Sequence, residues 1–305
     1  MKTEYSGTAR SGRIGFAAIV IMWITAAVSV PFSKILFEQF RFSAEEILIV
    51  RSLACILAAV AIGRAAAWRT RGIVVIAGLL IGASSIGFYR AIASWSVNPV
   101  IVILTLVPVV TMIVTRCRGK HISATAIASL AFLIAGTAWA LEPWNKPVQI
   151  EGFLWALSCV VLGGIGFDLW GRAPKETTVS EKCFWLSFWT CVLAFVVMKM
   201  RGGHFHAGRM LEPQALRTLA VFVGTVTIYI FFSIVPVSRV GKMNTVTAVV
   251  LMQFGTPVVI VGAELFVGEK LLFHQWPGVI TAIAGAIFLS IQTLRVNTNS
   301  EPSTK

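Results

Sequence analysis

Ten long apolar stretches, separated by short polar segments, constrain the fold more than any other feature of the chain. They lie at 14–37, 44–63, 73–94, 99–115, 123–139, 152–170, 184–198, 216–234, 245–267 and 273–294. About 20 apolar residues in a helix cross the hydrocarbon core of a bilayer. Barrel strands need only ~10 residues, and lipid-exposed irregular backbone is excluded because its polar groups would have no partners. The sequence therefore predicts an all-α integral membrane protein with ten transmembrane helices.

The composition supports a membrane protein and excludes most other classes. Of the 305 residues, 57% are hydrophobic and 13% are charged, whereas a soluble domain has about 25% charged residues. The net charge of +13 would indicate nucleic acid in a soluble protein, but membrane proteins concentrate Lys and Arg in cytoplasmic loops. We therefore expect the lipid bilayer as a partner and no nucleic acid. The five cysteines form no CxxC pair, so we expect no metal site, and we expect no cofactor.

The distribution of basic residues predicts the orientation. With the N-terminus inside, the cytoplasmic segments hold about twice as many Lys and Arg residues as the outer segments, which is the usual bias. The basic loop at 199–217 is the main exception. The sequence thus predicts a multi-pass protein of the cell inner membrane with both termini in the cytoplasm.

An internal repeat divides the chain into two halves. A shift of 149 residues places Pro108 on Pro257, Gly119 on Gly268 and Gly136 on Gly285. The predicted units are residues 1–142 and 151–294, with five helices each, followed by a cytoplasmic tail at 295–305. Because five is odd, the two units have opposite orientations in the membrane. Inverted repeats around a central cavity are the architecture of secondary transporters.

The ends of the two halves carry motifs of a known family. The first half contains Asn98-Pro99, Pro108-Val109-Val110, Gly119-Lys120 and Ala135-Gly136; the second contains Thr256-Pro257-Val258-Val259, Gly268-Glu269-Lys270, Trp276-Pro277-Gly278 and Ala284-Gly285. With Lys34 and Arg51, they make the chain resemble the EamA-type permeases of the drug/metabolite transporter superfamily over nearly its whole length. Lys120 departs from the pattern, since the second half has Glu269 there. The resemblance implies ten helices in a 5+5 inverted repeat, a central cavity and movement of small metabolites, without implying one substrate.

Ionisable residues inside apolar stretches are the first candidates for a substrate site, because their burial is costly. Arg51 and Arg90 could each attract a carboxylate or a phosphate. Alternatively, each pairs with a carboxylate or with backbone carbonyls and only holds helices together; Glu45 or Glu46 is a candidate partner for Arg51. Asp168 is a candidate proton site or gate, or else an interfacial acid near Arg172.

Prolines, neutral polar residues and aromatic residues complete the candidate set. Pro108 and Pro257 lie at equivalent positions in helices four and nine and are candidate helix breaks beside a cavity, or are incidental. Thr105, Gln253 and Thr256 offer neutral hydrogen bonds nearby, and Asn98 and Asn244 either join them or cap their helices. The aromatic candidates for the cavity wall, if they do not face lipid, are Trp23, Tyr89, Trp95, Trp170 and Tyr229.

The expected function is secondary transport, not enzymatic catalysis. The solute is predicted to be a small metabolite, an amino acid or a related amphipathic molecule, moved by alternating access, with export as the expected direction. A coupling proton and a homodimer are both left open. The alternative is a multidrug or cationic-compound exporter of the same fold, for which Asp168 is the candidate acid. An intramembrane enzyme or sensor is less favoured, because the chain contains no nucleophile elbow, P-loop or HExxH motif.

Overall fold

The computed structural model of the chain describes residues 2–64, 67, 69, 71–117, 124–142, 148–174, 176–235 and 255–298. These residues contain helices and connecting segments but no strand. The α-helices are α1 (Lys2–Glu38), α2 (Ala44–Gly63), α3 (Gly72–Ser94), α4 (Val97–Leu104), α5 (Val107–Cys117), α6 (Ala124–Leu141), α7 (Ile150–Gly171), α8 (Val179–Met200), α9 (Ala207–Met210), α10 (Pro213–Ile234), α11 (Gly255–Val267) and α12 (Trp276–Thr298). A short 3₁₀-helix, Phe273–Gln275, precedes α12.

Eight segments of the described chain are long and apolar enough to cross a membrane. They are the span Ile14–Glu38 of α1, the helices α2, α3, α6, α7, α8 and α10, and the combined segment Val97–Val114. Two shorter apolar helices follow at Gly255–Val267 and Phe273–Leu289. The predicted class, an all-α multi-pass membrane protein, is thereby confirmed. The first ten residues of the predicted ninth span, 245–254, lie outside the described residues.

Polar residues at the helix starts fix where two of the spans begin. Ser43 precedes α2, and its side chain accepts a hydrogen bond from the Glu46 backbone N–H at 3.2 Å, while the Glu46 carboxylate accepts from the Ser43 N–H at 2.8 Å. This reciprocal pair satisfies two backbone donors that a helix start otherwise leaves unpaired. Thr178 acts similarly at α8, where its hydroxyl accepts from the Glu181 N–H at 3.1 Å.

The predicted fourth helix, 99–115, is interrupted. Residue Leu104 ends α4 and Val107 begins α5, and the two residues between them have 3₁₀-type bonds: the Thr105 N–H donates to Val102 O and the Leu106 N–H to Ile103 O. Pro108 therefore lies in the first turn of a new helix instead of in the middle of one. A proline costs little there, because the first turn of a helix does not use its backbone N–H groups for intrahelical bonds.

Glycines bring the main helix pairs into close contact. A methyl group added at Gly78 or Gly87 of α3 would collide with the backbone of α8 or α7, respectively, and one at Gly262 of α11 with the backbone of α1. Small residues are enriched where membrane helices approach closely, because they let the backbones touch. Large apolar side chains, in contrast, cover the outer surface, among them Leu57 and Leu265, both more than two-thirds exposed. Such a surface suits lipid and not water.

A candidate substrate site in the helical interior

Arg51 is a buried cation without an acidic partner. It lies two turns into α2 and is 5% exposed. Its guanidinium carbon lies 4.9 Å from the centre of the Tyr89 ring, and its Nε–H has no hydrogen-bond acceptor. Among the described residues it forms no ion pair. A cation–π contact contributes about 0.5–2 kcal/mol, whereas a buried charge normally requires both a counter-charge and hydrogen bonds.

Tyr89 is held in place by other aromatic rings. It is 2% exposed and makes edge-to-face contacts with Phe37, Phe88 and Phe222, at centroid distances of 6.5, 5.1 and 5.9 Å. Edge-to-face geometry is favourable because the positive ring edge meets the negative ring face. The ring beneath Arg51 is thus fixed by α1, α3 and α10 together, so that its position does not depend on the arginine.

Small polar side chains surround this arginine. Cys55 follows it by one turn on α2, and its thiol lies 3.4 Å from the Thr227 hydroxyl of α10. The hydroxyl oxygens of Ser52 and Ser187 are buried, and the Ser187 hydroxyl lies near the Cys55 thiol. Sequence reasoning missed these four residues. A single small polar residue in an apolar helix is not conspicuous in a sequence. The one available signal was spacing, because Cys55 lies four residues after Arg51 and thus on the same face of α2.

Tyr229 of α10 lies close to the same group. It is half-buried and interacts electrostatically with Tyr89 and Arg51. The structure therefore brings together three of the predicted site residues, Arg51, Tyr89 and Tyr229. With the four polar residues above, they form what we call the Arg51 site, with contributions from α2, α3, α8 and α10.

Arg90, the second predicted arginine, has a different environment. Its Nε donates to Glu45 Oε1 at 2.6 Å, and its terminal Nη2 binds the same oxygen. The Glu45 side chain is 2% exposed. Glu45, a suggested partner of Arg51, is thus paired with Arg90. The other suggested partner, Glu46, is occupied at the helix start, where it accepts from the Ser43 and His206 backbone N–H groups, each at 2.8 Å.

Asp168 and Trp170 lie near the end of α7. The Asp168 carboxylate pairs with Arg172, one turn later on the same helix. Trp170 is buried, with the Lys182 Nζ 5.9 Å from its ring and 3.4 Å from its carbonyl oxygen. Pairing with Arg172 is the arrangement expected of an interfacial acid.

Trp95 and Asn98 line a separate cavity of about 410 Å³ between the start of α4, the end of α6 and residues 269–275. The Glu269 carboxylate lies at the N-terminus of α4 and accepts from the backbone N–H groups of Val97, at 2.8 and 3.0 Å, and Asn98, at 3.2 Å. A carboxylate at this end is favoured by the helix dipole. The helix is thus capped by Glu269, and the Asn98 side chain instead donates to the Glu269 carbonyl at 3.2 Å.

The remaining predicted site residues are distributed along the interior. Thr105 is buried at the end of α4 and donates to Val102 O at 2.6 Å. Trp23 packs close to Gly255, and its indole N–H has no acceptor. Thr256 and Pro257 are half-buried at the start of the described part of α11. Asn244 and Gln253 lie outside the described residues, so their roles stay predictions.

Comparisons with known proteins identify the fold but no family. No family model matches the chain, and no curated protein matches it. A protein of known crystal structure is similar in fold, with a TM-score of 0.59 over 96% of this chain and 99% of the other, at 15% sequence identity. At this identity the similarity concerns the fold alone. The similarity extends over nearly the full length of both chains, so both halves of this chain are arranged as in the other protein.

Proposed function

We propose that this protein is a secondary transporter of the EamA type, built from ten helices in a 5+5 inverted repeat. It moves a small amphipathic metabolite that carries a carboxylate, such as an amino acid or a related solute, across the inner membrane by alternating access. Export is the proposed direction, and both termini are placed in the cytoplasm. The observation that carries the proposal is the buried, unpaired guanidinium of Arg51.

An arginine without an acidic partner inside an apolar helix bundle suggests that it binds an anionic ligand reversibly. An isolated charge in a membrane interior costs at least ~2.5–3.5 kcal/mol. Arg90 avoids that cost through Glu45, whereas Arg51 does not have such a partner among the described residues. The planar guanidinium matches a carboxylate with two parallel hydrogen bonds. A solute carboxylate would therefore complete the Arg51 site.

A pair of equivalent contacts supports the inverted repeat. A methyl group added at Gly136 would collide with the backbone of Ala282, and one added at Gly285 would collide with the backbone of Leu133. The shift of 149 residues that relates the two halves maps Gly136 onto Gly285 and Leu133 onto Ala282. The contact between α6 and α12 is thus made twice by equivalent residues, as is typical of a twofold-related interface.

The pattern of helix packing supports the same relation. In the proposed repeat the two halves correspond helix by helix: α1 to α7, α2 to α8, α3 to α10, α4–α5 to α11, and α6 to α12. Exchanging the halves then converts one observed helix contact into another. The α3–α7 contact becomes α10–α1, the α1–α11 contact becomes α7 with α4–α5, and α3–α8 becomes α10–α2. The α2–α8 and α6–α12 contacts map onto themselves. Such an exchange symmetry is what a carrier with two rocking halves requires.

The interruption between α4 and α5 also favours a carrier. Discontinuous helices are typical of transporter binding regions, because non-helical backbone is tolerated at membrane depth only beside a cavity or inside protein. Thr105, buried at this interruption, lies 3.5 Å from the Thr137 hydroxyl of α6. The cationic-exporter alternative receives no comparable support, since Asp168 is paired with Arg172.

Solute counterflow in proteoliposomes tests the proposal. Liposomes preloaded with unlabelled carboxylate solutes should take up the labelled solute transiently and saturably when they contain the wild-type protein. Arg51→Gln should abolish the uptake, because it removes the charge that binds the carboxylate. Arg217→Gln is the matched control, since Arg217 is exposed on α10, and it should retain uptake. The proposal fails if wild-type liposomes show no protein-dependent counterflow of any carboxylate tested.

Reporter fusions test the proposed topology. A cytoplasmic reporter fused to the C-terminus should be active, and a periplasmic reporter inserted at 142–150 should be active as well. The reason is the twofold excess of Lys and Arg in the segments assigned to the cytoplasm. A C-terminus active on the periplasmic side would contradict both the orientation and the count of ten helices.

A further inference from the structure

The positions of all acidic residues determine which charges the Arg51 site can neutralise. The chain has 13 Asp and Glu residues, and in the part that the structure describes seven of them lie against basic side chains, five against Lys or Arg and two against His. These seven are Glu38 with Lys34, Glu45 with Arg90, Glu46 with His206, Glu142 with His274, Asp168 with Arg172, and Glu176 and Glu181 with Arg71. None of them pairs with Arg51.

Of the other six acids, four have described side chains, and none of these four contacts Arg51. Glu151, Glu212 and Glu264 are exposed, and Glu269 caps α4. The last two, Glu4 and Glu301, lie near the chain termini, outside the apolar stretches. The segment 236–254, which the structure does not describe, contains no Asp or Glu, so it cannot supply a carboxylate to the interior.

The interior around Arg51 therefore has a positive charge that no acid of the described residues offsets. Two acids precede Arg51 on α2, Glu46 by five residues and Glu45 by six, or about 7.5 and 9 Å along a helix. Glu46 is held at the helix start, and Glu45 is paired with Arg90. The side chains that interact with the guanidinium are neutral: the ring of Tyr89, Cys55 and Tyr229, with Ser187 beside Cys55. These groups can complete the hydrogen bonds of an anion but do not carry the charge that an ammonium group needs.

We infer that the Arg51 site takes solutes with a net negative charge, namely small monocarboxylates with a short apolar body, and selects against zwitterionic amino acids. This inference rests on the proposed function and narrows its solute class from amino acids and related carboxylates to those carboxylates that lack an ammonium group. A monocarboxylate neutralises Arg51 and leaves no charge unpaired. A zwitterion also neutralises Arg51 but brings an ammonium group into a site without a counter-charge, and such a group is penalised strongly.

The inference can be tested with three solutes that share one carbon skeleton. 4-Methylpentanoate carries only the carboxylate, L-leucine carries the carboxylate and the ammonium, and 3-methylbutylamine carries only the ammonium. Their binding is measured by calorimetric titration of the purified full-length protein in detergent at neutral pH, where all three have these charges. We expect 4-methylpentanoate to bind at least tenfold more tightly than L-leucine, and 3-methylbutylamine to show no binding.

Two variants of Arg51 and one control locate the effect. Arg51→Gln should remove the preference, because it removes the charge to which the carboxylate is proposed to bind. Arg51→Lys keeps the charge, and thus should keep the order of the three solutes even if all affinities fall; it provides the test on its own if Arg51→Gln does not fold. Arg217→Gln, with its arginine on the exposed surface, should reproduce the wild-type affinities.

Several results would overturn the inference. They are L-leucine binding as tightly as 4-methylpentanoate, tightest binding of the amine, no binding of any of the three, or an unchanged preference in Arg51→Gln. A failure of the transport proposal gives a different pattern. In that case the anion preference is present in titrations, but liposomes show no counterflow.

Discussion

The regions around Arg51 and Arg90 differ in one respect that decides what each can do. Both arginines lie in apolar helices, and Arg90 directly follows Tyr89, whose ring contacts Arg51. Arg90 is paired with the buried carboxylate of Glu45, whereas Arg51 has no acid beside it in the described structure. The charges of Arg90 and Glu45 neutralise each other, and their ion pair links α3 to α2. Arg51 has no such partner among the described residues, which is why we propose that a solute carboxylate binds it. The comparison shows that two buried arginines in neighbouring helices differ in whether an acid of the described structure neutralises them, and the proposed function rests on that difference.

The largest expected effect is on stability, in Arg90→Gln. The substitution leaves the Glu45 carboxylate buried without its cation, and breaking such a pair costs about 3–5 kcal/mol. The melting temperature in detergent should fall clearly, while the affinity of the surviving protein for carboxylates stays unchanged. Glu45→Gln combined with Arg90→Gln should recover more than half of the loss, because no charge is then left unpaired. A fall in affinity without a fall in melting temperature would move Arg90 from a structural role into the binding site.

Arg51→Gln should give the opposite result. The affinity for a monocarboxylate should fall about a hundredfold, equivalent to ~2.7 kcal/mol, because a buried charge-assisted pair with the ligand is lost. The melting temperature without ligand should stay the same or rise, since an uncompensated charge is removed from the interior. Titration and thermal melting of the same preparation measure both quantities. A large drop in melting temperature at constant affinity would show that Arg51 is a structural residue like Arg90.

Arg51→Lys should have a smaller effect on binding. Lysine retains the positive charge but loses the planar fork that grips a carboxylate with two hydrogen bonds. We expect the affinity for 4-methylpentanoate to fall about tenfold, or ~1.4 kcal/mol. An affinity equal to that of the wild type would mean that the site uses the charge alone and not the geometry of the guanidinium.

The smallest expected effects on carboxylate affinity are at Tyr89, whose ring contacts the Arg51 guanidinium. Tyr89→Phe keeps the ring beneath the guanidinium and should change carboxylate affinity less than threefold. Tyr89→Leu removes the ring and should reduce the affinity several-fold more, since a cation–π contact contributes about 0.5–2 kcal/mol. Titration of both variants separates the ring from the hydroxyl. A larger loss in Tyr89→Phe than in Tyr89→Leu would assign the role to the hydroxyl.

The sequence predicted the membrane-spanning helices well, because long apolar stretches are an unambiguous signal. Helix α2 has the predicted bounds, Ala44–Gly63. The prediction for α8 was wrong at its start, which is Val179 and not Phe184. The first turns of α8 contain Glu181 and Lys182, whose charges resembled those of a loop. Both are buried, because Arg71 approaches Glu181 at 3.5 Å and Trp170 covers Lys182.

The candidate site could be predicted only in part. Arg51, Tyr89 and Tyr229 were identifiable because charged and large aromatic residues stand out in apolar helices. The pairing of Arg90 with Glu45 was not, because Glu45 lies in another helix and the choice between Arg51 and Arg90 depends on side-chain geometry. The separation of Trp95 and Asn98 from the Arg51 site has the same origin: helix packing, and not sequence spacing, decides which side chains meet.

The short interruption at Thr105 and Leu106 has a mechanical consequence. A continuous helix is a stiff rod, and a displacement at one membrane face is transmitted to the other. Here Pro108 has no N–H to donate to the carbonyl of Leu104. The helices α4 and α5 are therefore joined by a short turn with 3₁₀-type hydrogen bonds. The start of α4 is anchored by Glu269, while α5 rests on α7. A joint of this kind resists bending less than a continuous helix, so a tilt of α5 would strain the anchored start of α4 less than the same tilt of an unbroken helix.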